Sequence, residues 1–136
     1  MAIMFVNTQT ATLEQMDGLP YQISSFSVPV GTGGTYGAEQ VFNPTSRAVY
    51  PQAVVITLGG TFGSGETVTT KVNFYFSDGT SNNITKSATA TGTTTLTVSD
   101  WASALKDGVY ITKIGVQATS SASSTSVTNS TKIIAL

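Results

Sequence analysis

The sequence predicts an all-β protein: a single antiparallel β-sandwich of jelly-roll type, with about eight strands, one short helix and an extended N-terminal arm. The 136 residues include 24 Thr and 16 Ser, among which Val, Ile and Leu recur at alternate positions; this pattern is typical of half-buried strands. Gly residues and an Asp-Gly pair separate these runs as turns. Hydrophobic residues make up 40% of the chain, which is enough for one domain with its own core.

The clearest strand patterns lie after residue 50. Residues 53–58 form a continuous apolar run, as expected of a buried strand, and residues 67–76 alternate between apolar and polar side chains. The apolar positions of that second strand are Val68, Val72, Phe74 and Phe76. Asp78-Gly79 fits a type I′ hairpin turn, so we expect a return strand at 83–90 and a further strand at 93–98.

One segment has the composition of a helix, at 99–108. Ser99 or Asp100 can cap its first amides, and a glycine follows its last turn. Trp101 and Leu105 are four residues apart and share one helix face. We therefore expect Trp101 to pack into one end of the sandwich.

Two strands complete the predicted sandwich. Residues 109–118 form a predicted strand that has Tyr110 on its inward face. Residues 127–136 end in an apolar run. Gly59-Gly60 has the composition of a turn. Short connections between these segments favour antiparallel pairing, and a count of about eight strands favours a jelly-roll over an immunoglobulin arrangement.

The first fifty residues differ in pattern from the rest. We interpret 1–50 as an N-terminal arm and loops that partly join the sandwich, and 51–136 as its core, within one domain. An apolar β-type segment near the N-terminus is followed by polar residues, and such a segment can add a strand to the sheet of a neighbouring copy. The predicted assembly arm consists of Ile3, Met4, Phe5 and Val6. The alternative is an ordinary first strand of the same domain.

The composition argues against catalysis. The chain has no His, no Cys and only 13 charged residues, for a net charge of −1. General acid–base chemistry depends most often on His, and the carboxylates of Asp78, Asp100 and Asp107 fall where turns and helix ends use them. We therefore expect a protein that is not an enzyme and uses no cofactor or metal. Nucleic acid is not an expected partner, because the six basic residues are scattered.

Two further patterns bear on glycans. Tyr36, Tyr50 and Tyr75 are candidates for an aromatic sugar-binding surface, with cross-strand packing as the alternative. Asn83 and Asn129 begin Asn-x-Thr/Ser triplets, which are acceptor sites for N-glycosylation in a secreted protein.

Two features of the sequence bear on a signal peptide and on a membrane span. The first ten residues of the chain lack the basic region of a signal peptide. The sequence contains no run of 18 apolar residues, which is the length that predicts a membrane span. We therefore expect no signal peptide in this chain and no membrane span.

Residues 67–136 resemble the β-sandwich subunits of viral decoration proteins, virion fibres and extracellular filaments. The resemblance rests on Phe-Ser-Asp-Gly-Thr at 76–80, Leu-Thr-Val-Ser-Asp-Trp at 96–101 and the run at 107–116. It implies a non-enzymatic structural subunit that self-assembles or decorates a virion or extracellular filament, with copies of itself or a capsid or filament protein as partners. Carbohydrate-binding jelly rolls have similar endings, so the alternative is a carbohydrate-binding or adhesin-type sandwich with a glycan as partner.

Overall fold

A computed structural model of the chain describes residues 22–44 and 47–136. These residues form an all-β sandwich, as the sequence predicts. The strands are β1 (Gln22–Val28), β2 (Val30–Gly31), β3 (Gln40–Phe42), β4 (Pro51–Thr61), β5 (Val68–Phe76), β6 (Ser81–Ala88), β7 (Gly92–Leu96), β8 (Ile111–Ser120) and β9 (Ser126–Ala135). One helical turn, α1 (Val98–Trp101), continues into a 3₁₀ turn (Ala102–Ala104).

Two sheets pack face to face. In sheet A the strand order is β1-β9-β4-β7, and every pairing is antiparallel. In sheet B the order is β2-β8-β5-β6, with β3 also paired to β8. The short β2–β8 pairing is parallel, whereas all other pairings in sheet B are antiparallel.

The strand order is that of a jelly roll. If β2 and β3 together count as the second of eight strands, the sheets have the orders 1-8-3-6 and 2-7-4-5. Consecutive strands therefore alternate between the sheets, except for two hairpin neighbours in sheet B. The first and last strands lie side by side, so β1 is an integral part of sheet A although it precedes residue 50.

The core lies between the inward faces of the two sheets. Sheet A contributes Val54, Ile56 and Ile133, and sheet B contributes Val72 and Phe74, all almost fully buried. In β5, every second residue from Val68 to Phe76 is buried, as its alternation predicts. Burial of such side chains is the main stabilising term, about 1.5–3 kcal/mol for each large apolar side chain.

The β5–β6 hairpin forms at Asp78-Gly79, but its turn is not type I′. The Gly79 amide donates to the Phe76 carbonyl at 3.0 Å, and the Phe76 amide donates to the Thr80 carbonyl at 2.8 Å. Gly79 has φ +85°. These bonds define a three-residue loop that ends in a left-handed glycine, and the return strand starts at Ser81, two residues earlier than predicted.

The helix is shorter than predicted and is capped by a different residue. Thr97 is the N-cap, and its backbone N–H donates to the carboxylate of Asp100 at 2.8 Å. Asp100 thus lies in the first turn and reaches back to the cap, as in a capping box. Trp101 is fully buried, and its ring centroid lies 5.8 Å from that of Phe74, which confirms its predicted place in the core.

Two local expectations are wrong. Tyr110 lies outside β8 and is 45% exposed, because the β5–β8 register shifts between Tyr75 and Phe76 and brings Ile111 into the core. Gly59 and Gly60 lie inside β4, where they pair with β9, and do not form a turn. Among the described residues, no helix has the length and apolar character needed to cross a membrane.

Candidate functional surfaces

The outer face of sheet A is nearly free of charge. The only charged residue in its four strands is Lys132 in β9. We call the outward residues of sheet A the A face, which consists of Ile23, Ser25, Ser27, Ala53, Val55, Thr57, Gly59, Thr93, Thr95, Thr128, Ser130, Lys132 and Ile134. Ile23, at its corner, is 61% exposed and pairs directly with Ile134.

Both edges of sheet A are open among the described residues. β1 pairs only with β9, and β7 pairs only with β4. Each edge strand therefore presents a row of backbone N–H and C=O groups to one side. Neither strand contains a charged residue or a proline, which are the features that natural proteins use to protect sheet edges.

The outer face of sheet B carries long polar side chains. Lys71, Asn73 and Tyr75 alternate along β5, opposite Gln117, Gly115 and Lys113 of β8. The side chain of Glu39, from the segment before β3, lies over this face. We call Tyr36, Glu39, Lys71, Asn73, Tyr75, Lys113 and Gln117 the B-face cluster.

Hydrogen bonds to Glu39 hold the centre of the B-face cluster together. Tyr75 Oη donates to Glu39 Oε1 at 2.8 Å and to Oε2 at 2.6 Å. Asn73 Nδ2 donates to Glu39 Oε2 at 2.8 Å and to Gln117 Oε1 at 3.1 Å. The Glu39 carboxylate thereby joins the segment before β3 to β5, and the amide of Asn73 joins β5 to β8.

Gly115 makes room for this carboxylate. A Cβ atom at that position would lie 1.8 Å from Glu39 Oε2, so any larger residue would displace the side chain of Glu39. The missing side chain leaves a recess in the sheet between its neighbours Asn73 of β5 and Val41 of β3.

The two lysines of the cluster lie over tyrosine rings. Lys71 Nζ is 4.2 Å from the centroid of Tyr36, and Lys113 Nζ is 4.7 Å from the centroid of Tyr75. Both distances are typical of cation–π contacts. Burial, with smaller contributions from the hydrogen bond and negative charge of Glu39, raises the pKa of Tyr75 to about 12, so its hydroxyl remains a donor at neutral pH.

Another carboxylate, which is buried, joins two loops at one end of the molecule. Glu66 is 5% exposed and accepts hydrogen bonds from the Gly63 amide at 2.8 Å, from the Ser120 hydroxyl and from the Thr125 hydroxyl at 2.6 Å. The Gly63 amide first, and then the two hydroxyls, lower the pKa of Glu66. The carboxylate satisfies loop donors, so we assign it a structural role.

The structure separates the three predicted sugar-binding tyrosines. Tyr36 and Tyr75 share the B-face cluster. Tyr50 is only 3% exposed, in the segment before β4, so it is no longer a candidate for a sugar-binding surface. Its backbone pairs with that of Leu136, a partner too distant in the chain to be predicted from the sequence.

The two glycosylation triplets have opposite environments. Asn83 is exposed on β6. Asn129 is 2% exposed, donates to Thr70 Oγ1 at 2.9 Å and accepts from Thr131 Oγ1 at 2.7 Å. Because Asn129 connects the two sheets inside the core, a glycan there is incompatible with the fold, and Asn83 alone remains a candidate.

The predicted assembly arm, consisting of Ile3, Met4, Phe5 and Val6, lies outside the described residues. Nothing in the structure tests its role.

The three aspartates considered for catalysis are dispersed. Asp78 forms an ion pair with Lys106 and accepts from the Thr80 amide at 3.0 Å, and the hydrogen bond from Lys106 is the largest cause of its lowered pKa. Asp100 belongs to the helix cap, and Asp107 to the following turn. In the described part of the chain, no three His, Cys, Asp or Glu residues come together in a way that could hold a metal ion.

Sequence reasoning missed Glu39 and Gly115. The alternation of Lys71, Asn73 and Tyr75 was a signal of a polar outward face, but the partner carboxylate is 34 to 36 residues away in the chain. Comparisons with family models, with curated proteins and with solved structures find no match.

Proposed function

We propose that the protein is a non-enzymatic structural subunit that self-assembles or decorates a virion or extracellular filament. Its contacts are the open edges and outer face of sheet A, together with the N-terminal arm. One observation carries the proposal: among the described residues, both edge strands of sheet A lack charged residues and proline, and its four strands contain a single charged residue, Lys132.

Open edges with free backbone groups are templates for pairing with another chain. Proteins that remain monomeric protect such edges with Lys, Pro, bulges or short strands. β1 has seven residues, Gln22–Val28, and none of these protections within the strand. A second copy, whose own backbone supplies matching donors and acceptors, is the partner that fits this edge.

The A face shares one property with an interface core, which is the depletion of charged residues. Four strands about 4.8 Å apart and seven residues of about 3.3 Å give a projected area of about 440 Å². A standard interface buries about 800 Å² on each partner. The A face alone therefore supplies about half of a stable contact, and the open edges and the arm would supply the rest.

The proposal of a non-enzymatic role rests on the composition and on the positions of the acids. Asp78 and Asp100 already accept hydrogen bonds in a turn and a helix cap. Replacing Asp78, Asp100 and Asp107 together by Asn is expected to lower stability without abolishing any turnover. A hydrolytic activity that this triple variant loses would contradict the non-enzymatic role.

Matched charge insertions test the contact surface. Thr95→Lys with Ser130→Lys places two charges on sheet A, and Ser64→Lys with Ser123→Lys places two charges in exposed loops. Both pairs change the net charge equally. In sedimentation velocity over a concentration series, the wild type and the loop variant should assemble, whereas the sheet A variant should remain a monomer. The circular dichroism spectrum of the sheet A variant should be unchanged, which shows that it is folded.

Two results would contradict the proposal. The wild-type chain could remain a monomer at every concentration, with no particle or filament in negative-stain micrographs, which would exclude self-assembly. Alternatively, the sheet A variant could assemble as well as the loop variant, which would exclude sheet A as the contact surface.

A further inference from the structure

The B-face cluster lies on the sheet opposite the proposed assembly surface, and it has the chemistry of a ligand site. We propose that it binds a saccharide that carries acidic groups. This inference is independent of assembly, because the two sheets expose their outer faces in opposite directions.

The cluster has unused hydrogen-bonding capacity. No partner within the described residues uses Asn73 Oδ1 or Gln117 Nε2, although both side chains are fixed by the bond between Asn73 Nδ2 and Gln117 Oε1. The Glu39 carboxylate accepts bonds from two side chains and retains lone pairs. Saccharide hydroxyls act as both donors and acceptors, so they match this mixture of groups.

The free charge of the cluster is positive. Among the described residues, the only ion pair joins Lys106 and Asp78, so Lys71 and Lys113 have no carboxylate partner. Glu39 accepts hydrogen bonds from Tyr75 and Asn73, and as the single carboxylate of the cluster it stands against two ammonium groups. The two ammonium groups therefore favour an acidic ligand over a neutral one. Two lysines are too few for the counterion release that drives nucleic-acid binding.

The tyrosine rings add an apolar component. Tyr36 and Tyr75 are each half-buried and each already hold a cation over the ring. Each ring therefore limits the positions that its ammonium group can take. A carboxylate of the ligand can form an ion pair with the ammonium group at that position. Sugar C–H groups can contact the exposed ring edges.

The site is also preorganised. Asn73 is 9% exposed, and the carboxylate of Glu39 lies in the recess over Gly115. Side chains that are held in place before binding lose little conformational freedom when a ligand arrives. The A face, with its short Ser and Thr side chains, has no comparable group of polar side chains.

Lysine pairs provide a matched test. Lys71→Ala with Lys113→Ala removes the cluster charges. Lys86→Ala with Lys106→Ala removes the same charge elsewhere, because Lys86 pairs with the inward Thr70 and Lys106 forms an ion pair with Asp78. The probe is an oligogalacturonate, measured by isothermal titration calorimetry on the full chain, with a dextran oligomer as neutral comparison.

We expect saturable binding of the oligogalacturonate and no binding of dextran. The cluster variant should lose about tenfold in affinity, which corresponds to two ion pairs at partly exposed positions, whereas the control pair should bind like wild type. Gly115→Ala, which displaces Glu39, should weaken binding in the same way while Lys71 and Lys113 remain.

Three results would overturn the proposal. They are the absence of saturable binding at millimolar oligogalacturonate, equal affinity in the cluster and control variants, and equal affinity for dextran and oligogalacturonate. None of these results depends on whether the protein assembles, because the titration can be made on the monomeric sheet A variant as well.

Discussion

Trp101→Ala should remove a large part of the stability of this domain. The helical turn α1 connects β7 of sheet A to β8 of sheet B. Trp101 projects from this turn into the core, fully buried and close to Phe74. Deleting the indole leaves a cavity that the two sheets can close only in part.

The expected magnitude follows from that burial. Trp→Ala in a core costs about 3–5 kcal/mol, out of about 5–15 kcal/mol for a typical domain. With an unfolding entropy of about 2.1 cal/mol/K per residue, this loss lowers the Tm of 136 residues by about 10–17 °C. Trp101→Phe should cost less, because the indole Nε1 has no hydrogen-bond partner among the described residues.

The assay is thermal and urea unfolding followed by far-UV circular dichroism. Tyr110→Ala is the control, since Tyr110 is 45% exposed and its truncation should change the free energy of unfolding by less than about 0.5 kcal/mol. Trp101 is the only Trp in the chain, so native fluorescence should be blue-shifted and resistant to iodide. A red-shifted, readily quenched spectrum, or a loss of less than about 1 kcal/mol of unfolding free energy in Trp101→Ala, would show that Trp101 does not pack in the core.

Further predictions concern the arm, the core and the pH dependence. Deleting residues 2–10 should abolish assembly in sedimentation velocity but preserve the β-sheet circular dichroism spectrum, because the described sandwich begins at Gln22; normal assembly would exclude the arm as a connector. Asn129→Ala should cost about 1–3 kcal/mol in urea unfolding because it leaves buried hydroxyls unpaired, and Ser130→Ala, at an exposed position, should be nearly neutral. The pKa of Tyr75 is raised to about 12 from 10.0, so its contribution to stability should be complete below pH 10 and be lost between pH 10 and 12; Tyr75→Phe should remove that part of the pH dependence.

The sequence predicted the strands whose pattern reflects a single buried face. In β5 the alternation from Val68 to Phe76 matches the burial along the strand. The fold class, the hairpin position and the burial of Trp101 followed from similarly local signals. Each of these features depends on residues that are close together in the chain, so a local sequence pattern can predict it.

Features that depend on a distant partner could not be predicted. Gly60 has φ +77° and lies so close to the Ser126 carbonyl that a Cβ would be 2.0 Å from it. This glycine permits a close strand contact, whereas its local sequence has the composition of a turn. Tyr110 lies outside the core because the register between β5 and β8 shifts near it. Glu39 precedes a short strand, and no periodic pattern in the sequence predicts that its side chain lies in the B-face cluster.

Sheet A is the contact that we propose between copies of this chain. Hydrogen–deuterium exchange of the β1 and β7 amides, measured in dilute and in concentrated protein, reports on this contact strand by strand. Pairing at these edges predicts that their exposed amides exchange more slowly in the concentrated sample, whereas the edge strand β6 of sheet B does not change. Exchange at β1 and β7 that is independent of concentration while the protein assembles, or protection confined to β6, would exclude sheet A as the contact.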